Sequence, residues 1–384
     1  MHFEFSTAGK IIFGSGSLNT VGDLAINLGK NALIISGGSI QNTDRIVQLL
    51  KKYEINTSLV LVEHEPTIDS IRNLVDFAKQ AYVDLIIGIG GGSTIDSAKA
   101  TAAMLANPGD ITDYLEVVGL NKPILNPSIP LIAIPTTSGT GSEVTKNAVL
   151  GSPHHHLKVS MRSAYMLPRI ALIDPELTLS LPPLVTATTG LDALTQLIEP
   201  YTCTTPTPIT DSLCLDGIKR ISDSIFQAYT HGGDLGARES MAISSLYGGL
   251  ALANARLGAV HGLAAPIGGL IPAPHGAVCA RLLPYVMETN LQAMKERAPA
   301  HPSIQRYDVI GKLLQQDDMA TAVDAIQWIK KFCNNVNIPP LAEYGLTVNE
   351  FSVITKNALN ASSMKGNPIP LFEAELRSIL YKAL

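Results

Sequence analysis

The chain has 384 residues, of which 46% are hydrophobic and 16% charged. That is enough apolar material for a large core, and it excludes disorder as the main state. Lys plus Arg number 28 and Asp plus Glu 33, a net charge of −5, so no basic excess is available for nucleic acid. This length predicts more than one domain.

The opening Met-His-Phe-Glu-Phe lacks a basic start followed by an apolar run, so no secretory signal is expected. Short apolar runs then alternate with helical patterns. Residues 32–36, 84–89, 131–134 and 169–173 read as strands, and 44–53 and 68–81 as helices. Near-continuous apolar runs suit strands buried on both faces, and strand–helix alternation predicts a parallel α/β domain. Three consecutive histidines, His154 to His156, read as a surface loop.

The second strand ends in Gly90-Gly91-Gly92-Ser93-Thr94-Ile95-Asp96-Ser97-Ala98-Lys99. Glycines let backbone N–H groups approach a phosphate, and a following helix N-terminus adds partial positive charge. The run differs from GxGxxG, because Ile95 stands at the third glycine position, and from a Walker A loop. The third strand ends in PTTSGTGSEVT, residues 135–145, with six hydroxyls and two glycines. Such a loop can hydrogen-bond ribose, pyrophosphate or a carboxamide. Two such loops on successive strand ends predict a dinucleotide site.

After Leu181-Pro182-Pro183, where paired prolines mark a junction, periodicity is helical to Leu384 with almost no strand signal. The expected domains are therefore 1–180, a Rossmann-like α/β domain, and 181–384, an all-helical domain. In the helix over 190–199, Asp192, Gln196 and Glu199 share one face. His261 and His275 follow, 14 residues apart, within an uncharged stretch over 257–280. That stretch carries Pro266, Pro272 and Pro274, punctuation that reads as buried interior rather than a lipid-facing span. Asp192, Gln196, His261 and His275 form a candidate divalent-metal set. The cysteines, Cys203, Cys214, Cys279 and Cys333, form no CxxC pair, which fits a reduced, cytoplasmic setting.

These motifs together resemble the iron-containing (group III) alcohol dehydrogenase family over essentially the whole chain. They run from Phe13-Gly14-Ser15-Gly16 through GGGSTIDSAK, PTTSGTGSEVT, Ile173-Asp174-Pro175-Glu176-Leu177 and GLDALTQLIEPY (190–201) to both histidine segments and Asn367-Pro368. The resemblance implies a Rossmann-like N-terminal domain, a helical C-terminal domain, a homodimer, and exchange of hydride between NADP or NAD and a small alcohol or aldehyde. It implies cofactor contacts from Gly37, Gly38, Ser39, Gly90, Gly91, Gly92, Ser93, Asp96, Thr136, Thr137, Thr140, Asn147 and Lys158. It implies Fe2+ or Zn2+ on Asp192, Gln196, His261 and His275, with both histidines also as candidate proton or hydrogen-bond donors.

Two departures stand out. The family's usual His four residues after the Asp is Gln196, and a further His that often follows the ligand matched by His261 is Ala265. They leave open a metal-independent carbonyl reductase resembling maleylacetate reductase, or an inactive dinucleotide-binding homologue. A synthase resembling dehydroquinate synthase would need a Lys/Arg phosphate cluster that the region around Asp192 and His275 lacks. The turn Ser36-Gly37-Gly38-Ser39 has no carboxylate before Asp44, which favours NADP over NAD, since an acidic residue there would repel a 2′-phosphate.

Overall fold

The computed structural model describes residues 2–384. The chain divides into two compact units. One comprises Ser6–Thr137 and Gly141–Ser180; the other comprises Leu181–Leu384 with residues 2–5 and Ser138–Thr140. Three residues of the hydroxyl-rich loop group with the helical unit.

The α/β unit contains β1 (Ile11–Phe13), α1 (Val21–Ala25), β2 (Asn31–Ser36), α2 (Ile40–Lys51), β3 (Asn56–Leu61), α3 (Ile68–Gln80), β4 (Leu85–Gly90), α4 (Gly92–Ala106), β5 (Leu131–Pro135), β6 (Asn147–Ser152), β7 (Leu157–Arg162) and β8 (Ile170–Ile173). Six strands form one parallel sheet in the order β1-β8-β5-β4-β2-β3. Alternate residues of the inner strands feed two apolar layers. Leu33, Ile35 and Ile86 join Ile71, Leu74 and Ala98 of α3 and α4. Ile34, Leu85, Ile87 and Ile134 join Val21, Ile46 and Leu50 of α1 and α2. Helices on both faces explain why these strands read as unbroken apolar runs.

The sequence reading missed β1, β3 and the β6–β7 pair. β3 is an edge strand whose Leu59 and Leu61 are exposed, so its pattern lacks the apolar continuity of its neighbours. β6 and β7 form an antiparallel hairpin outside the main sheet, turned through Pro153–His155. The three histidines are exposed there. The hairpin is held to α4 by polar groups. Buried Lys99 donates to Thr145 Oγ1 at 2.8 Å and to the Asn147 carbonyl, and it pairs with Asp96 at 3.0 Å.

The helical unit contains α5 (Pro183–Thr202), α6 (Pro208–Thr230), α7 (Leu235–Asn254), α8 (Ala259–Leu270), α9 (His275–Arg297), α10 (Pro302–Gln315), α11 (Ala322–Asn335), α12 (Phe351–Asn360) and α13 (Glu373–Ala383). The paired prolines do not merely interrupt structure. Pro183 is the first residue of α5, where a missing N–H costs nothing and a fixed φ favours the helix. α5 is the central element: 186–188 and 190–202 are all buried. The uncharged stretch over 257–280 becomes α8 and the start of α9, mostly buried. Among the described residues no helix is long and apolar enough to cross a membrane.

Candidate functional site

The α/β unit carries three glycine- or hydroxyl-bearing turns at the carboxyl ends of β2, β4 and β5. The chain order reverses between β2 and β4, the place where open α/β sheets bind ligands. Gly37 N–H donates to the Ile89 carbonyl at 2.9 Å and Thr136 N–H to the Gly90 carbonyl at 3.0 Å, so the turns are physically joined. Glycine is required by close approach. A Cβ on Gly90 would lie 2.4 Å from Thr94 Oγ1, and one on Gly37 2.8 Å from the same atom. Gly38 has φ +100°, which a side chain would strain. Gly91, the N-cap of α4, offers no side-chain cap, so the first amides of a 15-residue helix remain to meet an anion. Gly91, Gly92, Ser93, Thr136 and Thr137 lie partly accessible around these turns. Ser39 caps α2 through Asn42 N–H. Asn147 lies at the start of β6, and Thr140 groups with the helical unit.

Two expected cofactor contacts are engaged elsewhere. Asp96 accepts from Ser142 Oγ and from Val149 N–H at 2.9 Å and pairs with Lys99. Its carboxylate fastens the loop and hairpin to α4. Lys158 Nζ lies 2.6 Å from Glu65 Oε2, so its charge is already matched.

The helical unit assembles the second site from three helices. Asp192 and Gln196 come from consecutive turns of α5, His261 from α8, and His275 from the first position of α9. Asp192, Gln196 and His261 are 1%, 2% and 8% exposed. Asp192 Oδ1 lies 3.7 Å from Nε2 of both His261 and His275. Asp192 Oδ1, Gln196 Oε1 and His261 Nε2 are buried without a hydrogen-bond partner. Such orphaned groups are costly in an apolar interior. The residues therefore fit a cation.

Glu199, on the same face of α5, holds His261. Its Oε2 lies 2.6 Å from His261 Nδ1, and its Oε1 accepts from Val260 N–H at 2.7 Å. A carboxylate only accepts, so this bond puts a proton on Nδ1 and turns Nε2 toward Asp192. Burial alone would lower the basicity of His261. The Glu199 charge and hydrogen bond, with the Asp192 charge, outweigh it and raise the pKa. Gly258 permits the arrangement, because a Cβ there would lie 2.8 Å from Glu199 Oε1. Asn367 Oδ1 accepts from Ala259 N–H, so two distant side chains cap α8. Likewise a Cβ on Gly276 would lie 2.9 Å from the Thr188 carbonyl, which lets α9 bring His275 against α5. Ala265, half-buried on α8, presents a methyl group.

Sequence reasoning missed two members of this cluster. Glu199 shares a face of α5 with Asp192 and Gln196, but spacing alone gives it no role. Cys279, four residues after His275, has its sulfur within 4.8 Å of ligand atoms from Asp192, His261 and His275. The i, i+4 spacing was the available signal.

Comparison with known proteins points to one family. Residues 8–175 match the family model described as iron-containing alcohol dehydrogenase, and residues 186–384 match that of the Fe-containing alcohol dehydrogenase family, C-terminal. The chain is 33% identical to alcohol dehydrogenase 4 of Saccharomyces cerevisiae, covering 97% of this chain and 96% of the yeast protein. It is 33% identical to the NADPH-dependent butanol dehydrogenase of Clostridium saccharobutylicum, covering 98% and 96%. The crystal structure of 1,3-propanediol oxidoreductase superposes with a TM-score of 0.92 at 30% identity, covering all of both chains. A parallel α/β unit followed by a helical unit, with the matches spanning both, assigns this alcohol oxidoreductase to the iron-containing alcohol dehydrogenase family.

Proposed function

We propose that the protein catalyses reversible hydride exchange between a nicotinamide dinucleotide and a small primary alcohol or its aldehyde. A bound nicotinamide would supply the hydride donor or acceptor, and a divalent ion would polarise the alcohol or carbonyl oxygen. The observation that carries this reading is a pair of buried atoms without a hydrogen-bond partner, Asp192 Oδ1 and His261 Nε2, in one cluster with His275 and Cys279. With Nδ1 of His261 donating to Glu199, the neutral ring and the Asp192 carboxylate both offer lone pairs, and a common partner for them is a cation.

Each residue then has a task. Asp192 and His261, with His275 beside them, would hold the ion, and Glu199 would fix the His261 ring and its tautomer. His275, 33% exposed against 1% for Asp192, is the cluster member best placed to exchange a proton with solvent or substrate. In the α/β unit, Gly37, Gly38 and Ser39 would meet the adenosine ribose. Gly90, Gly91, Gly92 and Ser93 would present amides to the pyrophosphate, and Thr136, Thr137, Thr140 and Asn147 would add polar contacts. The turn after β2 has no carboxylate before Asp44, which supports NADP over NAD.

The test is metal analysis of the purified protein, followed by absorbance of the reduced cofactor with short aldehydes. The expected result is turnover dependent on a divalent ion, with a higher kcat/KM for NADPH than for NADH. No turnover of any small carbonyl with either cofactor, with or without added metal, would overturn the reading.

A further inference from the structure

His275 and Cys279 stand four residues apart on α9, so both extend from one face of that helix. Cys279 is fully buried, and its Sγ lies 3.5 Å from His275 Nε2. Bonds of about 2.3 Å to sulfur and about 2.0–2.1 Å to nitrogen or oxygen give tetrahedral edges of about 3.5 Å and about 3.4 Å. The sulfur–nitrogen separation matches the first value. The two nitrogen–oxygen separations, 3.7 Å each, need only a slight contraction. Independently, Asp192 Oδ1 and His261 Nε2, both on side chains more than nine-tenths buried, are unpartnered within the same cluster.

Gln196 is the competing fourth ligand. Its Oε1 lies 3.7 Å from the position a Cβ would take on Gly248 of α7, so it abuts that helix. A neutral amide oxygen is also a hard, weak donor for a transition metal, whereas a thiolate is soft and anionic.

We propose that Cys279 is a protein ligand of this centre together with Asp192, His261 and His275, and that its thiolate biases the centre toward zinc over iron(II). The inference rests on the metal reading of the site given above. When the ion enters, the Cys279 S–H bond breaks. The proton leaves to solvent, and the sulfur donates its electron pair to the metal. Asp192 and Cys279 then supply two negative charges against a divalent ion, close to neutrality in a site with little water. Gln196 Oε1 is left as an acceptor beside the centre for a substrate hydroxyl or a bound water.

The test loads the metal-free full-length protein with cobalt(II) under anaerobic conditions. A near-ultraviolet thiolate-to-cobalt charge-transfer band is expected in the unmodified protein and in Gln196→Ala, and its absence in Cys279→Ser. Zinc affinity is expected to fall at least about tenfold in Cys279→Ser, since even outer-shell changes cost about that much. Zinc-edge X-ray absorption of the unmodified protein should count one sulfur neighbour, and this needs no variant to fold. A spectrum with no sulfur neighbour, or a charge-transfer band unchanged in Cys279→Ser, would overturn the thiolate assignment and leave the metal centre standing. Failure of the unmodified protein to bind either ion would overturn both.

Discussion

Glu199 Oε2 and His261 Nδ1 are 2.6 Å apart, and the other oxygen of the same carboxylate caps α8 at Val260. One side chain thus sets both the position of the helix that carries a candidate ligand and the tautomer of that ligand. Glu199→Gln retains one acceptor but cannot serve both donors. Metal affinity is expected to fall about 10–100-fold, read by competition with a chelator of known affinity. Unchanged affinity would remove Glu199 from the ligand-positioning role.

The turn after β4 tests the dinucleotide site. A Cβ on Gly90 would lie 2.4 Å from Thr94 Oγ1 and 2.7 Å from Thr94 Cβ, and a β-branched side chain on α4 has little freedom to yield. Gly90→Ala is expected to destabilise the fold by about 1–3 kcal/mol and to weaken NADPH binding by at least about tenfold in calorimetry, because α4 and its amides must shift. Retention of full affinity would place the nucleotide elsewhere.

Asp96 separates a structural from a ligand-facing role. Its carboxylate pairs with fully buried Lys99 and accepts from Ser142 and Val149. Asp96→Asn leaves Lys99 without its ion partner, a change that costs about 3–5 kcal/mol in buried pairs. The melting temperature is expected to drop equally with and without cofactor. A loss seen only in the cofactor-bound protein would return Asp96 to the nucleotide site.

Glu143 gives a pH dependence. Burial pushes its carboxyl up to about 7, with the Lys99 charge opposing in part. A pKa raised in the folded state means that folding favours the protonated form. The contribution is complete below the unfolded value near 4.5 and is lost as pH rises through about 7. Glu143→Gln stays neutral throughout. Its melting temperature relative to the unmodified protein is expected to rise between pH 5 and pH 8, by the equivalent of about 3 kcal/mol at most. A flat difference across that range would show that Glu143 is ionised in the fold.

Much of this molecule is legible in its sequence. Inner strands β2, β4, β5 and β8 announce themselves because helices cover both faces of the sheet, leaving no polar alternation. β3 and the β6–β7 hairpin did not, because strands that meet solvent or lie outside the sheet carry mixed patterns that loops also show. Asp96 and Lys158 stand as cofactor contacts only through the family resemblance, and in the fold partners far along the chain, Val149 and Glu65, engage their charged atoms.

The sequence alone determined the turns and the one-face grouping of Asp192, Gln196 and Glu199, because backbone geometry fixes relations over a few residues. Tertiary packing decided which of those side chains meet His261, and that Cys279 stands with them. Those meetings depend on close contacts such as Gly258 against Glu199 and Gly276 against Thr188. Such contacts arise from packing the whole helical core and leave no periodic trace in the chain.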